Sequence, residues 1–501
     1  MTATPDRGAS SPACPGARVG APADGTSLGR VTDVTTTSAA GRRPAGRRPA
    51  GPMAPAYRLV TLCLVALVSI IAFEAMAIST AMPIIARDLE AVRSYGLAFS
   101  AMLTTQLLGI VVAGVWCDRR GPLPSLFAGQ ALMAAGTALA GLAPTFTVLL
   151  AGRLVAGLGG GLLTVAIYVV IGRAYPGELR PRVFSWVSAA WVLPSLVGPP
   201  VAGWLAETFS WRWVFLVVVA PVVVTMAVVA GRREQMRDDA DRERSATAPA
   251  GQRRLVGLGL MVAVAAGAMQ WGAASLVPVR ALPLVATVVG LLGVAVASPR
   301  LLPRGTLRMA RGLPSVMLSR FLLTAAFNGA MTFVPLMLIL SRGLGATVAG
   351  AMLTVGAVGW SAGSWVQGQQ RFSGRRSWLV SVGGASLSVG VAGLAAIAGL
   401  GLPSLLVGVA AALCGTGMGL AMSSTSVLSL ALSPVAEHGR TSSSLQLADV
   451  LGSVMGIAAA GSVFAALHDG VRSDIPTFVL MWLVLAAVAA LVVPGGQRTR
   501  T

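Results

Sequence analysis

From Tyr57 onward the chain alternates long apolar runs with short polar segments. A bilayer core about 30 Å thick needs roughly 20 apolar residues per crossing helix. Runs that meet this demand lie at 57–85, 94–116, 123–143, 146–175, 182–206, 211–231, 255–275, 280–297, 313–340, 345–370, 376–398, 402–432, 441–466 and 473–494. The pattern therefore predicts fourteen membrane-spanning helices, of which the eighth is the shortest.

An even number of crossings places both ends of the chain on one side. The arginines indicate which side, because basic residues accumulate in cytoplasmic loops. One set of segments carries Arg119 and Arg120; Arg173, Arg180 and Arg182; those within Arg232 to Arg254; Arg300, Arg304, Arg308 and Arg311; Arg371, Arg375 and Arg376; Arg440; and Arg498 and Arg500. The opposite set holds Arg87, Arg93, Arg212, Arg280, Arg342 and Arg472. The first set, with both tails, is expected to be cytoplasmic, in a multi-pass protein of the cell membrane.

Composition supports the membrane class and removes several chemistries. Hydrophobic residues make up 55% of the 501 positions, charged residues 11%, and the mean hydropathy is +0.76, outside the soluble globular range. All 38 basic residues are arginine, so neither a P-loop lysine nor lysine Schiff-base chemistry is available. A net charge of +20 could suggest nucleic acid, but the arginines are dispersed through loops rather than gathered on one face. The four cysteines, Cys14, Cys63, Cys117 and Cys414, form no CxxC or Cys/His cluster, and no metal site or disulfide framework is indicated. His438 and His468 lie in opposite loops, and no HExxH or nucleophile–base constellation occurs. An enzyme is not expected, and neither is a cofactor.

The polar segments set the expected domain plan. Residues 1–56, with the tandem GRRPAGRRPAG, read as a disordered basic tail; Met53 is an alternative start. An N-terminal six-helix bundle follows at 57–231, then a charged linker at 232–254, a two-helix insert with a basic loop at 255–311, a C-terminal six-helix bundle at 312–494, and a short tail at 495–501. Paired six-helix halves with faint internal similarity are a transporter arrangement. GVWCDRRG after the second span has a counterpart in GSWVQGQQRFSGRR of the later half.

The ionisable residues inside spans are Glu74, Arg153, Arg320 and Asp449, with Asp118 at a span end. Such residues are costly in lipid and face a partner or a cavity. Glu74 and Arg153 fall at a common depth, one about 15 Å and the other about 10 Å from the same face. Their pairing serves either to join two helices or to tune a carboxylate that loads and releases a proton. Asp449 is either a second proton or cation site or the cap of a local polar contact. Arg320, close to a span end, is expected to snorkel to the interface. Gln106, Trp191, Asn328, Phe333 and Trp360 are the polar and aromatic candidates for a substrate cavity.

These segments also resemble a known family. FEAMAISTAMP, with Glu74 nine places before Pro83, resembles the first-span signature of the fourteen-span drug:proton antiporters of the major facilitator superfamily, where Asp is more frequent at the acidic place. GVWCDRRG resembles the superfamily's loop signature at Gly114, Asp118, Arg119 and Gly121, with Pro122 and Leu123 where basic residues are expected. GRLVAGLGGG resembles the fourth-span signature whose arginine, matched by Arg153, is assigned to proton transfer; Ala156 replaces a frequent Gln. LVGPPVAG resembles the fifth-span antiporter signature at Gly198, Pro199 and Gly203, with Ala202 in place of a glycine.

The resemblance implies an all-α integral membrane fold of the 6+2+6 type, with two pseudo-symmetric six-helix bundles and a two-helix insert. It implies export of an amphipathic organic compound, a drug or antibiotic, in exchange for protons, with Glu74, Arg153 and Asp449 as the proton-coupling candidates. In the family the loop signature latches the two halves on the inner face. The expected partners are the small-molecule substrate, protons and the bilayer, with no nucleic acid, and a monomer is expected to suffice. A proton-coupled importer or uniporter of a metabolite is the rival within the fold. A non-transporting sensor or scaffold is the rival outside it.

Overall fold

The structure is a computed structural model and describes residues 51–55, 57–176, 178–231, 252–275, 281–301, 305–434, 438–468 and 473–499. The expected tail apart from 51–55, and the linker over 232–251, lie outside the described residues. Among the described residues the regular structure is helical. Thirteen helical segments there are long and apolar enough to cross a membrane, and a fourteenth, Ala281–Ala297, is shorter.

The first half comprises α1 (Arg58–Asp88), α2 (Tyr95–Arg120), α3 (Pro122–Gly141), α4 (Phe146–Ala174), the pair α5 (Arg180–Ala189) and α6 (Val192–Thr208), and α7 (Trp211–Gly231). The insert is α8 (Gln252–Ala274) and α9 (Ala281–Leu301). The second half comprises α10 (Leu313–Leu336), α11 (Ala346–Gly368), α12 (Arg376–Gly399), α13 (Leu406–Ala431), α14 (His438–Leu467), and the pair α15 (Ile475–Ala490) and α16 (Val492–Arg498). Two expected spans are therefore interrupted. The fifth breaks at Ala190 and Trp191, and the fourteenth at Leu491.

Local sequence explains the ends and bends. Gly121 separates α2 from α3 with φ +77°, a conformation that penalises any side chain, and Pro122 starts α3 where a missing N–H costs nothing. Pro199 and Pro200 stand inside α6, so the carbonyls four residues earlier lose their helical donors. One of them, Leu196, accepts instead from the Thr354 hydroxyl of α11 at 3.0 Å. Proline in this span thus exports a hydrogen bond to a neighbouring helix.

The packing repeats between halves. In the first half α3 lies on α4 and α7, α2 on α4, and α1 on α6; in the second, α12 lies on α13 and α15, α11 on α13, and α10 on α14. Each contact has its counterpart one half later, as a pseudo-twofold arrangement requires. The main joints between the halves are α2 with α14 and α6 with α11, with smaller contacts of α1 on α10 and α11 and of α2 on α10. In the second seam, a Cβ on Gly203 would meet the Thr347 nitrogen at 2.5 Å, and one on Gly350 would meet the Pro199 carbonyl at the same distance. Only glycine permits this approach. The insert covers the first seam: α8 packs on both α2 and α14, with Gln270 donating to the Thr104 hydroxyl at 3.3 Å and Val262 packed with Leu107 and Leu451.

Three arginines at the arginine-poor face have a structural use there. Arg93 donates to the His468 carbonyl at the end of α14, Arg212 to Ala143 beyond α3, and Arg342 to Ile397 near the end of α12. Each places a cation on the negative end of a helix. These residues run against the loop-charge bias because they cap helices.

Candidate functional site

The first-half pair forms at mid-depth between α1 and α4. Glu74 is 1% exposed and Arg153 3%. Arg153 Nη1 donates to Glu74 Oε1 at 3.0 Å, and its Nε donates to the Ala98 carbonyl of α2 at 3.3 Å. Glu74 Oε2 is buried with no hydrogen-bond partner among the described residues. A buried carboxylate oxygen without a donor carries an uncompensated desolvation cost. A proton placed on Oε2 would remove the negative charge and leave the Arg153 contact on Oε1 in place.

The second-half pair is bonded otherwise. Arg320 of α10 grips Asp449 of α14 side-on, with Nε on Oδ1 and Nη2 on Oδ2, while Nη1 reaches Met422 O, Thr425 Oγ1 and Ser426 Oγ of α13. The expectation that Arg320 snorkels to the interface is corrected: the residue is 9% exposed and ties three helices together. The snorkelling expectation weighed distance to a span end alone, whereas the polar run Ser423 to Ser426 marks the facing helix as a ready acceptor. Of the two roles left open for Asp449, the bonding pattern matches the local polar contact.

The remaining candidates scatter. Asn328 of α10 donates to Thr324 O and to Ser453 Oγ of α14, one turn beyond Asp449. Trp360 of α11 meets Phe327 edge-on at 5.4 Å. Gln106 is half-buried beside Gly160 of α4, and Trp191 stands exposed at the break in the fifth span. Phe333 is fully buried between Tyr95 and Phe464, so it packs the contact between halves rather than lining an open cavity. Asp118 and Arg119 are exposed at the end of α2, where Arg173 of α4 donates to the Cys117 carbonyl. Gly114 has open space about it, and Gly198 lies against Phe73 and Met76, which flank Glu74. The fifth-span motif therefore touches the acid-bearing helix on one side and the second half, through Pro199 and Gly203, on the other. Among the described residues no cluster suited to a metal ion occurs.

Known proteins with this architecture define the class. The family model of the Major Facilitator Superfamily matches residues 62–457. The chain belongs to that superfamily and is a multi-pass secondary transporter of small molecules. It is 26% identical over 411 residues to the multidrug transporter protein MdtP of Bacillus subtilis, covering 80% of this chain and 74% of that protein. It is also 26% identical over 171 residues to the multidrug efflux pump SdrM of Staphylococcus aureus, covering 34% of this chain and 38% of that protein. Among solved structures, a POT family transporter in complex with 5-aminolevulinic acid superposes with a TM-score of 0.66 at 13% identity, over 88% of this chain and 96% of that one. At that identity the likeness concerns the fold alone.

Proposed function

We propose that the chain exports an amphipathic organic compound, such as a drug or antibiotic, in exchange for protons, as a fourteen-span antiporter of the cell membrane. The arginine-rich loops and both termini are assigned to the cytoplasm, and the monomer is the working unit. The observation that carries the reading is Glu74: an acid buried in mid-membrane, bonded through one oxygen to Arg153 and unpartnered at the other. Support for export comes from the fifth-span motif and from the two relatives named for multidrug transport and efflux.

In this scheme Glu74 takes a proton when the site opens outward and gives it up when the site opens inward, and substrate favours the ionised form. Alternation demands such a difference in preference between states. Arg153 holds the carboxylate in place and restores it to the ionised form. The electrical part of the driving force is worth about 2.3 kcal/mol per charge per 100 mV. Asp449 is assigned to structure, because Arg320 saturates it. The experiment is exchange in proteoliposomes: Glu74→Gln is expected to abolish substrate-dependent proton movement driven by an imposed pH gradient. Exchange at the parental rate in that variant would end the assignment.

A further inference from the structure

Two charged side chains of the first half rest on helix ends of the second, and both do so at the arginine-poor face. On the seam between α6 and α11, Glu207 sits one residue before the end of α6. Its carboxylate accepts from the Thr347 hydroxyl and, at 3.4 Å, from the Thr347 backbone N–H. Thr347 is the second residue of α11, so its N–H is one of the first four that the helix itself leaves unbonded. A Cβ on Gly345 would lie 2.6 Å from Glu207 Oε1, so the carboxylate occupies a seat that only glycine leaves free.

On the other seam, Arg93 stands in the short turn between α1 and α2 and donates through Nη2 to the His468 carbonyl at 2.8 Å. The His468 N–H bonds back to Phe464, so this carbonyl is the terminal acceptor of α14. The signs are complementary. An anion meets a helix N-terminus and a cation meets a helix C-terminus, each the favourable end of the dipole. Beside Arg93 on the same side of the molecule, the Tyr95 hydroxyl donates to Thr332 O of α10 at 2.8 Å, and Gly96 of α2 packs directly on Gly461 of α14.

We propose that Glu207 and Arg93 are the paired latches of the outer gate, each holding that face shut by capping a helix of the opposite half. Rocking the halves apart at this face removes both caps together and leaves two helix ends to water. Their joint strength therefore sets how readily the transporter turns outward. Neither residue touches the Glu74 pair; both act by positioning α11 and α14.

The test reads the gate directly. Ser100 lies one helical turn below Gly96 on the same face of α2 and is 1% exposed. Ser100→Cys, in a chain whose native Cys14, Cys63, Cys117 and Cys414 are replaced, is labelled with a hydrophilic maleimide in lipid nanodiscs. Glu207→Gln and Arg93→Gln are each expected to raise the labelling rate about fivefold, and the two together about twenty-fivefold, as independent helix-end charges do. Gly345→Ala, which alters neither charge but fills the seat of Glu207, is expected to act like Glu207→Gln. Val391→Cys in the core of α12 serves as control and stays unlabelled. A double variant labelled within about twofold of the parent, or a control that rises in parallel with Ser100→Cys, overturns the proposal. The assay needs no substrate and no proton gradient, so its failure would leave the proposed exchange untouched.

Discussion

In the first half, Arg153 gives Glu74 a single hydrogen bond and sends its Nε to a backbone carbonyl, while the second carboxylate oxygen stays unpartnered. In the second half, Arg320 gives Asp449 two bonds and commits its remaining bonded nitrogen to three acceptors on α13. Both pairs neutralise charge within the membrane, but they differ in how much changes when a proton arrives. Protonating Glu74 on Oε2 would remove a buried charge while leaving its one bond to Arg153 in place. Protonating Asp449 would break a fork in which every oxygen is used. An acid–arginine pair is thus sparsely bonded in one half and fully forked in the other, where α13 adds a carbonyl and two hydroxyl acceptors for the arginine, and the proposed proton site and anchor rest on that difference.

The largest expected effect separates the pairs by activity. Glu74→Gln should reduce proton-coupled exchange from the parental rate to background in proteoliposomes, whereas Arg320→Met combined with Asp449→Leu should retain exchange, since a buried ion pair replaced by apolar residues of similar size is often close to neutral in stability. Loss of coupling in that double variant would return Asp449 to the proton pathway. Next, Arg320→Ala alone should cost up to about 3–5 kcal/mol of stability by leaving the part-buried Asp449 without its partner, measured as a lowered unfolding midpoint in detergent. Arg153→Ala should cost less, because Arg153 makes fewer bonds and Glu74 can neutralise itself by taking a proton. An equal loss in both would erase the distinction drawn here. Smallest, Thr354→Val should lower stability by about 0.5–1.5 kcal/mol through the lost bond to the proline-freed Leu196 carbonyl, without changing the maximal exchange rate.

Much of this was legible in the residues themselves. Glu74 and Arg153 could be placed at one depth by counting residues from the span ends, because helix rise is constant and the bilayer sets where spans stop. Arg320 could not be read the same way. Its distance from a span end permits snorkelling or burial equally, and the choice was made by the hydroxyls of α13 and the carboxylate of α14, more than 100 residues away in the chain. Phe333 shows the same limit. A half-turn of helix rotation separates a cavity wall from a packed seal, and apolar periodicity is weak in spans that are apolar on every side.

The sequence alone indicated the order of the spans, the face that gathers the arginines, and the common depth of Glu74 and Arg153 in the membrane. Those properties depend on transfer of single side chains and short segments into hydrocarbon, which is a local matter. Only the tertiary structure decided which arginine meets which acid, how completely each pair is bonded, and that Glu207 and Arg93 reach across to helix ends of the other half. Such outcomes depend on how two bundles lie against each other, and glycines, prolines and hydroxyl groups far apart along the chain set that geometry together.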